Sequence, residues 1–288
     1  MAAKSYAFTT EDIEYLRHGD KKLMLRLYKP DGPGPFPALV DLHGGAWSIN
    51  DLEDCRERDE VLARSGLLVA GLNFRHAGDG HIACMEDINY AIRWLKANAP
   101  KYNSRADLVG ISGQSSGGHL AMLAGMRPTD PRYTAIPSPA GSPKVDASVR
   151  CIAMCWPVIN PLSRYRNALR ARASANPPKW IGDIPERHDL YWKTEAIMAE
   201  GNPVLALERG EKVVMPPALW IQGRPDPVHD YRDPESEFNG NEPERFVASY
   251  RKAGGNIELM YIDQAVRTTA VSHDAVAAFF HKQMSATA

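Results

Sequence analysis

Short apolar runs rich in β-formers alternate with longer stretches of helical spacing along most of this chain. That rhythm constrains the fold more than any other feature of the sequence. Residues 23–30 (LMLRLYKP), 38–43 (ALVDLH), 67–74 (LLVAGLNF), 107–112 (DLVGIS) and 148–156 (SVRCIAMCW) read as strands. Between them, 51–66 has helical spacing and ends at Gly66, 82–99 is strongly periodic and stops before Pro100, and 116–126 opens another helix. The alternation resumes with strand 218–223 (ALWIQG), helix 243–255, strand 256–263 (NIELMYID) and helix 273–284. Strands linked through helices need right-handed crossovers, so the pattern predicts an α/β fold with a mostly parallel central sheet covered on both faces.

Two segments interrupt the rhythm. Residues 127–147 are rich in Pro and Ser and read as a surface excursion. Residues 157–212 are polar and basic, carry Trp180, Tyr191 and Trp192, and show helical pieces without a convincing strand. They are expected to form a cap-like insertion on a single domain spanning 1–288.

Composition narrows the function classes. With 34 basic and 35 acidic residues the formal charge is −1, which gives no electrostatic basis for binding nucleic acid or an anionic membrane. No apolar run approaches the roughly 18 residues of a membrane span, and the first 22 residues lack the apolar stretch of a secretory leader. Cys55, Cys84, Cys151 and Cys155 form no C-x-x-C pair and no zinc spacing. They are expected to be buried free thiols in a reducing, cytoplasmic compartment.

Residues 113–117, Gly-Gln-Ser-Ser-Gly, match G-x-S-x-G. Five positions with three fixed are weak alone, and a glycine-rich loop with two solvated serines would match as well. The context strengthens the pattern. The motif follows a strand and opens a helix, as needed to hold a serine hydroxyl exposed on a sharp turn at the sheet edge. No phosphate-cradling pattern, G-x-x-x-x-G-K-[ST] or G-x-G-x-x-G, occurs in the chain. Ser115 holds the central position, and Ser116 would contribute a backbone N–H.

A serine hydroxyl needs a base, and the base an orienting carboxylate. In a parallel sheet these partners follow later strands. After ALWIQG comes GRPDPVHD, where the short tether of Asp226 to the strand end favours it over Asp230 and Asp233. After NIELMYID, His273 precedes the final helix and is the expected base; His281 lies within that helix, His229 on the acid loop, and His188 in the insertion. The stretch HGGAW (43–47) follows the strand ALVDLH, and its glycines free backbone N–H groups to face an oxyanion, although a plain glycine turn would look the same.

Taken together, DLHGGAW, LNFR, EDINYAIRWLKANA, GQSSGGHLA, PPALWIQGRPD and SHDAV resemble the α/β-hydrolases of the H-G-G branch, which includes hormone-sensitive-lipase-like esterases and the kynurenine formamidase-like group. The resemblance covers nearly the whole chain. It implies Ser115 as nucleophile, Asp226 as acid, His273 as base, and an oxyanion hole of the Gly45, Ala46 and Ser116 amides with Gly44 shaping the turn. It implies acyl transfer on a small apolar or aromatic ester, or alternatively on an amide as in an arylformamidase, with no metal or organic cofactor. A non-catalytic binding module on the same fold is the third reading. The chain departs from the family in having Ser116 where alanine is common, Asp274 where glycine usually follows the histidine, and the unusual loop QAVRTTAVS. Trp47, Trp156, Trp180 and Trp192 are expected as pocket walls. Arg164, Arg166, Arg170 and Arg172 are expected as a solvated helix face, with contact to an acidic substrate as the rival reading.

Overall fold

In the computed structural model, which describes residues 5–139 and 141–285, strands β1 (Phe8–His18), β2 (Lys21–Pro30), β3 (Phe36–Leu42), β4 (Leu68–Leu72), β5 (Ser104–Gln114), β6 (Ile152–Cys155), β7 (Ala218–Arg224) and β8 (Ile257–Asp263) form one sheet. Its order is β1-β2-β4-β3-β5-β6-β7-β8. β1 and β2 pair antiparallel, as do β2 and β4; every pairing from β4 across to β8 is parallel. β4 (LVAGL) is buried along its whole length, as a parallel strand covered on both faces should be.

Helices α1 (Arg56–Arg64), α2 (Gly80–Asn98), α3 (Ser116–Met126), α8 (Glu242–Lys252) and α9 (Ala270–Met284) cover the sheet. Between β6 and β7 the chain folds as α4 (Pro161–Arg172), α5 (Ile184–Trp192), α6 (Glu195–Glu200) and α7 (Pro203–Glu208), with no strand among them. Two of these starts share one device. Asn160 and Asn202 each precede a proline at the first helical position, and their side chains accept from the N–H groups of Ser163 (3.0 Å) and of Val204 (3.0 Å) and Leu205 (3.2 Å). Asparagine satisfies N–H groups that have no partner within the helix, and proline fits where no N–H is needed. The two caps are tied together, Asn202 Nδ2 donating to Asn160 Oδ1 at 2.7 Å.

β1 is the element that sequence patterning missed. Its eleven residues, FTTEDIEYLRH, lie on the sheet edge and are mostly exposed, so charges sit on both faces and mask the alternation. The segment 127–147 forms neither helix nor strand among its described residues. It is fastened to α2 by Asn89, which donates to the Pro128 carbonyl, and by Arg93, which donates to the Ile136 carbonyl and to Ser138 Oγ. All four cysteines are buried and free.

One charged cluster lies inside the sheet layer. Arg58 of α1 donates to both carboxylate oxygens of Asp41 at the end of β3, and also to Gln114 Oε1 at 2.9 Å. Ser112 Oγ donates to the same carboxylate. Arg58 is 3% exposed and Asp41 fully buried. Asp59 lies beside Asp41 and is also fully buried, and burial together with its acidic neighbour pushes its carboxyl well above the usual range. Asp59 is therefore the protonated member, and Asp41 carries the charge that Arg58 compensates. Removing the cation would strand that charge. Arg58→Met should cost about 3–5 kcal/mol of stability, a fall of roughly 10 °C in Tm for a domain of this size, measurable by calorimetry or circular dichroism.

Candidate active site

β5 ends at Gln114 and α3 begins at Ser116, so Ser115 alone makes the turn. Its backbone stands at φ 51°, ψ −118°, a region that a non-glycine residue occupies only when its surroundings impose it. Three backbone hydrogen bonds do so. Ser115 N–H donates to the Cys155 carbonyl (2.9 Å), and the Ser115 carbonyl accepts from Val158 (3.0 Å) and His119 (3.2 Å). Gly117 lets α3 close onto the sheet, since a Cβ there would stand 2.3 Å from the Leu42 carbonyl oxygen and 2.4 Å from that of His43.

An imidazole stands against the serine, and it is not the expected one. Ser115 Oγ lies 3.0 Å from Nε2 of His229, and His229 Nδ1 lies 2.8 Å from Oδ2 of Asp226. Asp226 and His229 share the turn that leaves β7, in which the Asp226 carbonyl accepts from the N–H groups of His229 (3.3 Å) and Asp230 (2.8 Å). Asp226 Oδ1 also accepts from Val228 (3.1 Å) and His229 N–H (3.3 Å). Burial raises the Asp226 carboxyl, but its bonds to His229 and Val228 and the charge of Arg267 outweigh this and hold it below the usual range. The carboxylate is therefore ionised, so His229 Nδ1 carries the proton donated to it and Nε2 is the acceptor facing Ser115 Oγ–H.

The expectation of His273 as base is corrected by this geometry. Thr269 caps α9 and the helix begins at Ala270, three residues ahead of His273. His273 thus projects from the first helical turn instead of a loop. Its electrostatic neighbours are Arg58, Asp41, Glu57 and Asp274, and its ring bonds to neither Ser115 nor Asp226 among the described residues. The loop before it sends Arg267 toward Asp226, at 3.5 Å from Oδ2, with the guanidinium over the Trp156 ring. The short-tether argument that selects Asp226 applies equally to His229, and that is the signal by which His229 could have been found. Asp230 and Asp233 are engaged elsewhere, with Arg224 and Asn241 and with Arg245 respectively.

The loop 43–49 runs beside the serine: a Cβ on Gly44 would stand 3.3 Å from Ser115 Cβ. Gly45 (φ 101°), Ala46 (φ 50°) and Trp47 (φ 59°) all take positive φ. Gly45 has no substitute, because a Cβ there would fall 2.1 Å from the Ile49 carbonyl oxygen. The Gly45 carbonyl accepts from Ser48 and Ile49, and Ala77 N–H donates to the Trp47 carbonyl. The N–H groups of Gly44, Gly45 and Ala46 have no backbone acceptor among the described residues, and Ser116 N–H, at the first position of α3, has none within its helix.

Three expected pocket walls are corrected. Trp47 is 1% exposed, Trp156 is 4% exposed within a core cluster, and Trp192 is wholly buried. Trp47 stacks on Tyr191 (5.7 Å between centroids), meets Trp192 and His188 edge-on, and donates to His119 Nδ1 at 3.3 Å. His119 Nε2–H in turn donates to the Gly201 carbonyl at 2.7 Å. These rings fasten the oxyanion-side loop and α3 to α5 and the segment beyond it. Trp180 is half-buried against the cluster of Ala168, Ile181 and Ile184, on which Val228, the residue before His229, also packs. Among the basic residues of α4, Arg166, Arg170 and Arg172 pair with Glu195, Glu235 and Glu186 near the surface; Arg164 is 4% exposed.

The parallel sheet, the serine on the turn into α3 and the loop beside it define the α/β-hydrolase fold. The chain belongs to the BD-FAE family, whose sequence model matches residues 25–235. It is 33% identical over 129 residues to "Probable carboxylic ester hydrolase LipM" of Mycobacterium tuberculosis (strain ATCC 25618 / H37Rv), covering 42% of this chain and 29% of that one. It is 32% identical over 137 residues to "Esterase LipQ" of the same organism, covering 44% and 31%. The matches thus span less than a third of these curated relatives. A hyperthermophilic esterase from the archaeon Pyrobaculum calidifontis superposes with a TM-score of 0.70 at 20% identity, over 98% of this chain and 87% of that one. EstE1, a thermostable carboxylesterase cloned from a metagenomic library, gives 0.70 at 19%, over 99% and 91%. At these identities the likeness is one of fold.

The elbow predicts two opposite outcomes. Gly117→Ala forces backbone apart and should cost about 3 kcal/mol. Ser116 Oγ is buried without a partner, so Ser116→Ala should be neutral or stabilising by up to about 1 kcal/mol. Thermal unfolding of the two variants beside wild type checks both.

Proposed function

We propose that the protein is a serine carboxylesterase, on the strength of the unbroken chain Ser115–His229–Asp226. Ser115 Oγ attacks the ester carbonyl carbon while its proton passes to His229 Nε2. The oxyanion lies on the N–H groups of Gly45, Ala46 and Ser116, with Gly44 shaping the loop, where preorganised donors act most strongly. His229 then protonates the leaving oxygen as the C–O bond breaks, releasing the alcohol. Water, deprotonated by His229, attacks the acyl-enzyme, and collapse of the second tetrahedral species frees the acid and restores Ser115. Asp226 holds the tautomer and stabilises the imidazolium throughout. Helices α4 to α7 act as the cap, with Trp180 toward the substrate. The mechanism needs no metal or organic cofactor. Four buried thiols support a reducing, cytoplasmic setting.

The esterase names of the relatives favour ester over amide. Rates on p-nitrophenyl acetate and N-formylkynurenine test this: faster formamide hydrolysis would transfer the protein to the arylformamidase reading. Failure of Ser115 to label with a fluorophosphonate, read by mass spectrometry, would leave only a binding module.

The base assignment is tested by paired variants. His229→Gln should lower kcat about 10⁴-fold, whereas His273→Gln should change it by less than about tenfold. The reverse order would restore His273 as base.

The pH profile follows from the charges around His229. Burial, Arg164 and Arg267 lower its pKa, and Asp226 opposes them without prevailing. The imidazole must be neutral to accept the serine proton. The acid limb of kcat/KM should therefore fall below the ordinary histidine value of about 6.5. Asp226→Asn removes the one group holding the pKa up and should move that limb lower still, alongside a large loss of rate.

A further inference from the structure

Arg164 is a cation without a counter-ion beside the candidate triad. Its side chain is 4% exposed, and Nε and Nη1 are buried with no hydrogen-bond acceptor among the described residues. Its electrostatic neighbours are Tyr231, whose hydroxyl donates to Ser163 Oγ, then Asp226 and Arg187, and its charge also acts on His229 and His188. None of these serves as its partner. Asp226 is bound by His229, two backbone N–H groups and Gln222. His188 donates through Nδ1 to the Ile184 carbonyl at 2.8 Å and stays neutral, pushed down to about 3 by burial and by Arg164 itself. Glu242 is held by Arg245 at 3.0 Å and by Asn160 at 2.9 Å.

The backbone that carries it is nevertheless firmly held. Arg164 N–H donates to the carbonyl of Asn160, whose side chain caps α4 and is clamped between Glu242 and Asn202. Burial pushes the guanidinium down to about 10, which still leaves it charged at neutral pH. A buried, charged guanidinium with an unsatisfied donor on each of its two edges, Nε on one and Nη1 on the other, matches an anion that can accept from it.

Resting on the esterase reading, we propose that Arg164 recognises a carboxylate carried by the substrate, so that the preferred esters are anionic. The carboxylate belongs either to the acyl group or to the leaving alcohol, and two substrate pairs separate these. Mono-4-nitrophenyl succinate against 4-nitrophenyl butyrate places the charge on the acyl side. 4-Acetoxybenzoate against its methyl ester places it on the leaving side. Wild type should favour the anionic member of one pair at least tenfold in kcat/KM. Arg164→Gln should erase that preference, chiefly through KM, and Arg164→Lys should keep part of it, since the charge remains and the fork is lost.

Turnover of the neutral esters with no anionic preference in either pair overturns the proposal and leaves the esterase reading intact; so does a preference that survives in Arg164→Gln. Absence of turnover of all four esters is the failure of the esterase reading. Binding is read apart from turnover by the Tm shift that millimolar succinate monoamide or 4-acetoxybenzoate gives Ser115→Ala. A shift larger than that from the matching neutral amide or methyl ester supports the carboxylate site, and equal shifts in both pairs overturn it.

Discussion

The geometry of the site depends on one residue held in an unfavourable conformation. Ser115 sits at φ 51° where β5 ends and α3 begins, and such a position costs about 1–3 kcal/mol. The surrounding layers meet that cost together. β6 supplies the Cys155 carbonyl, the chain beyond β6 supplies the Val158 N–H, and α3 supplies His119 N–H. The same turn brings α3 against the end of β3, and from there the loop 43–49 lies alongside the serine. Ser115 and the loop 43–49 are therefore placed by one packing event. Asp226 and His229 come from a separate turn after β7, which Asp226 closes with both its carbonyl and its carboxylate.

Sequence reasoning recovers the parts that follow from period and short-range chemistry. Strands from β2 to β8 and helices α1, α2, α3, α8 and α9 lie where the apolar periodicity puts them, within a few residues. β1 escaped because an exposed edge strand has little to bury. Ser115 and Asp226 are legible because each is tethered to a strand end. His273 was misjudged because its role depended on where α9 starts, and helix starts are set by caps whose competition a sequence does not resolve. Thr269 caps a helix that begins at Ala270, which puts His273 within α9 and not on the loop before it. Trp47 and Trp192 were misjudged for a related reason. Aromatic residues near a site look alike whether they wall a pocket or pack beneath it, and the distinction arises only once α5 lies on the loop.

With acid and base three residues apart on one turn, their mutual geometry is local. The loop after β8 then carries Arg267, whose guanidinium lies over Trp156 and reaches Oδ2 of Asp226, the oxygen that His229 also binds. Arg267 lowers the pKa of both Asp226 and His229. It favours the ionised carboxylate and the neutral imidazole, while Asp226, 2.8 Å from Nδ1, favours the imidazolium.

Arg58 and Arg164 show how differently one residue type can be buried. Both lie at a few per cent exposure. Arg58 meets Asp41 bidentately and reaches Gln114 as well, so its charge is compensated within the fold. Nε and Nη1 of Arg164 have no such partner among the described residues, although glutamates pair with the three other arginines of its helix. A fold that needed only to bury the stem of residue 164 would gain stability from methionine or leucine at that place, because an uncompensated buried charge is destabilising. The guanidinium therefore works against stability on its own, at a point where its field acts directly on His229. A ligand carboxylate would supply the missing counter-charge already in the bound complex, so the discrimination it brings would lie chiefly in binding and be read in KM.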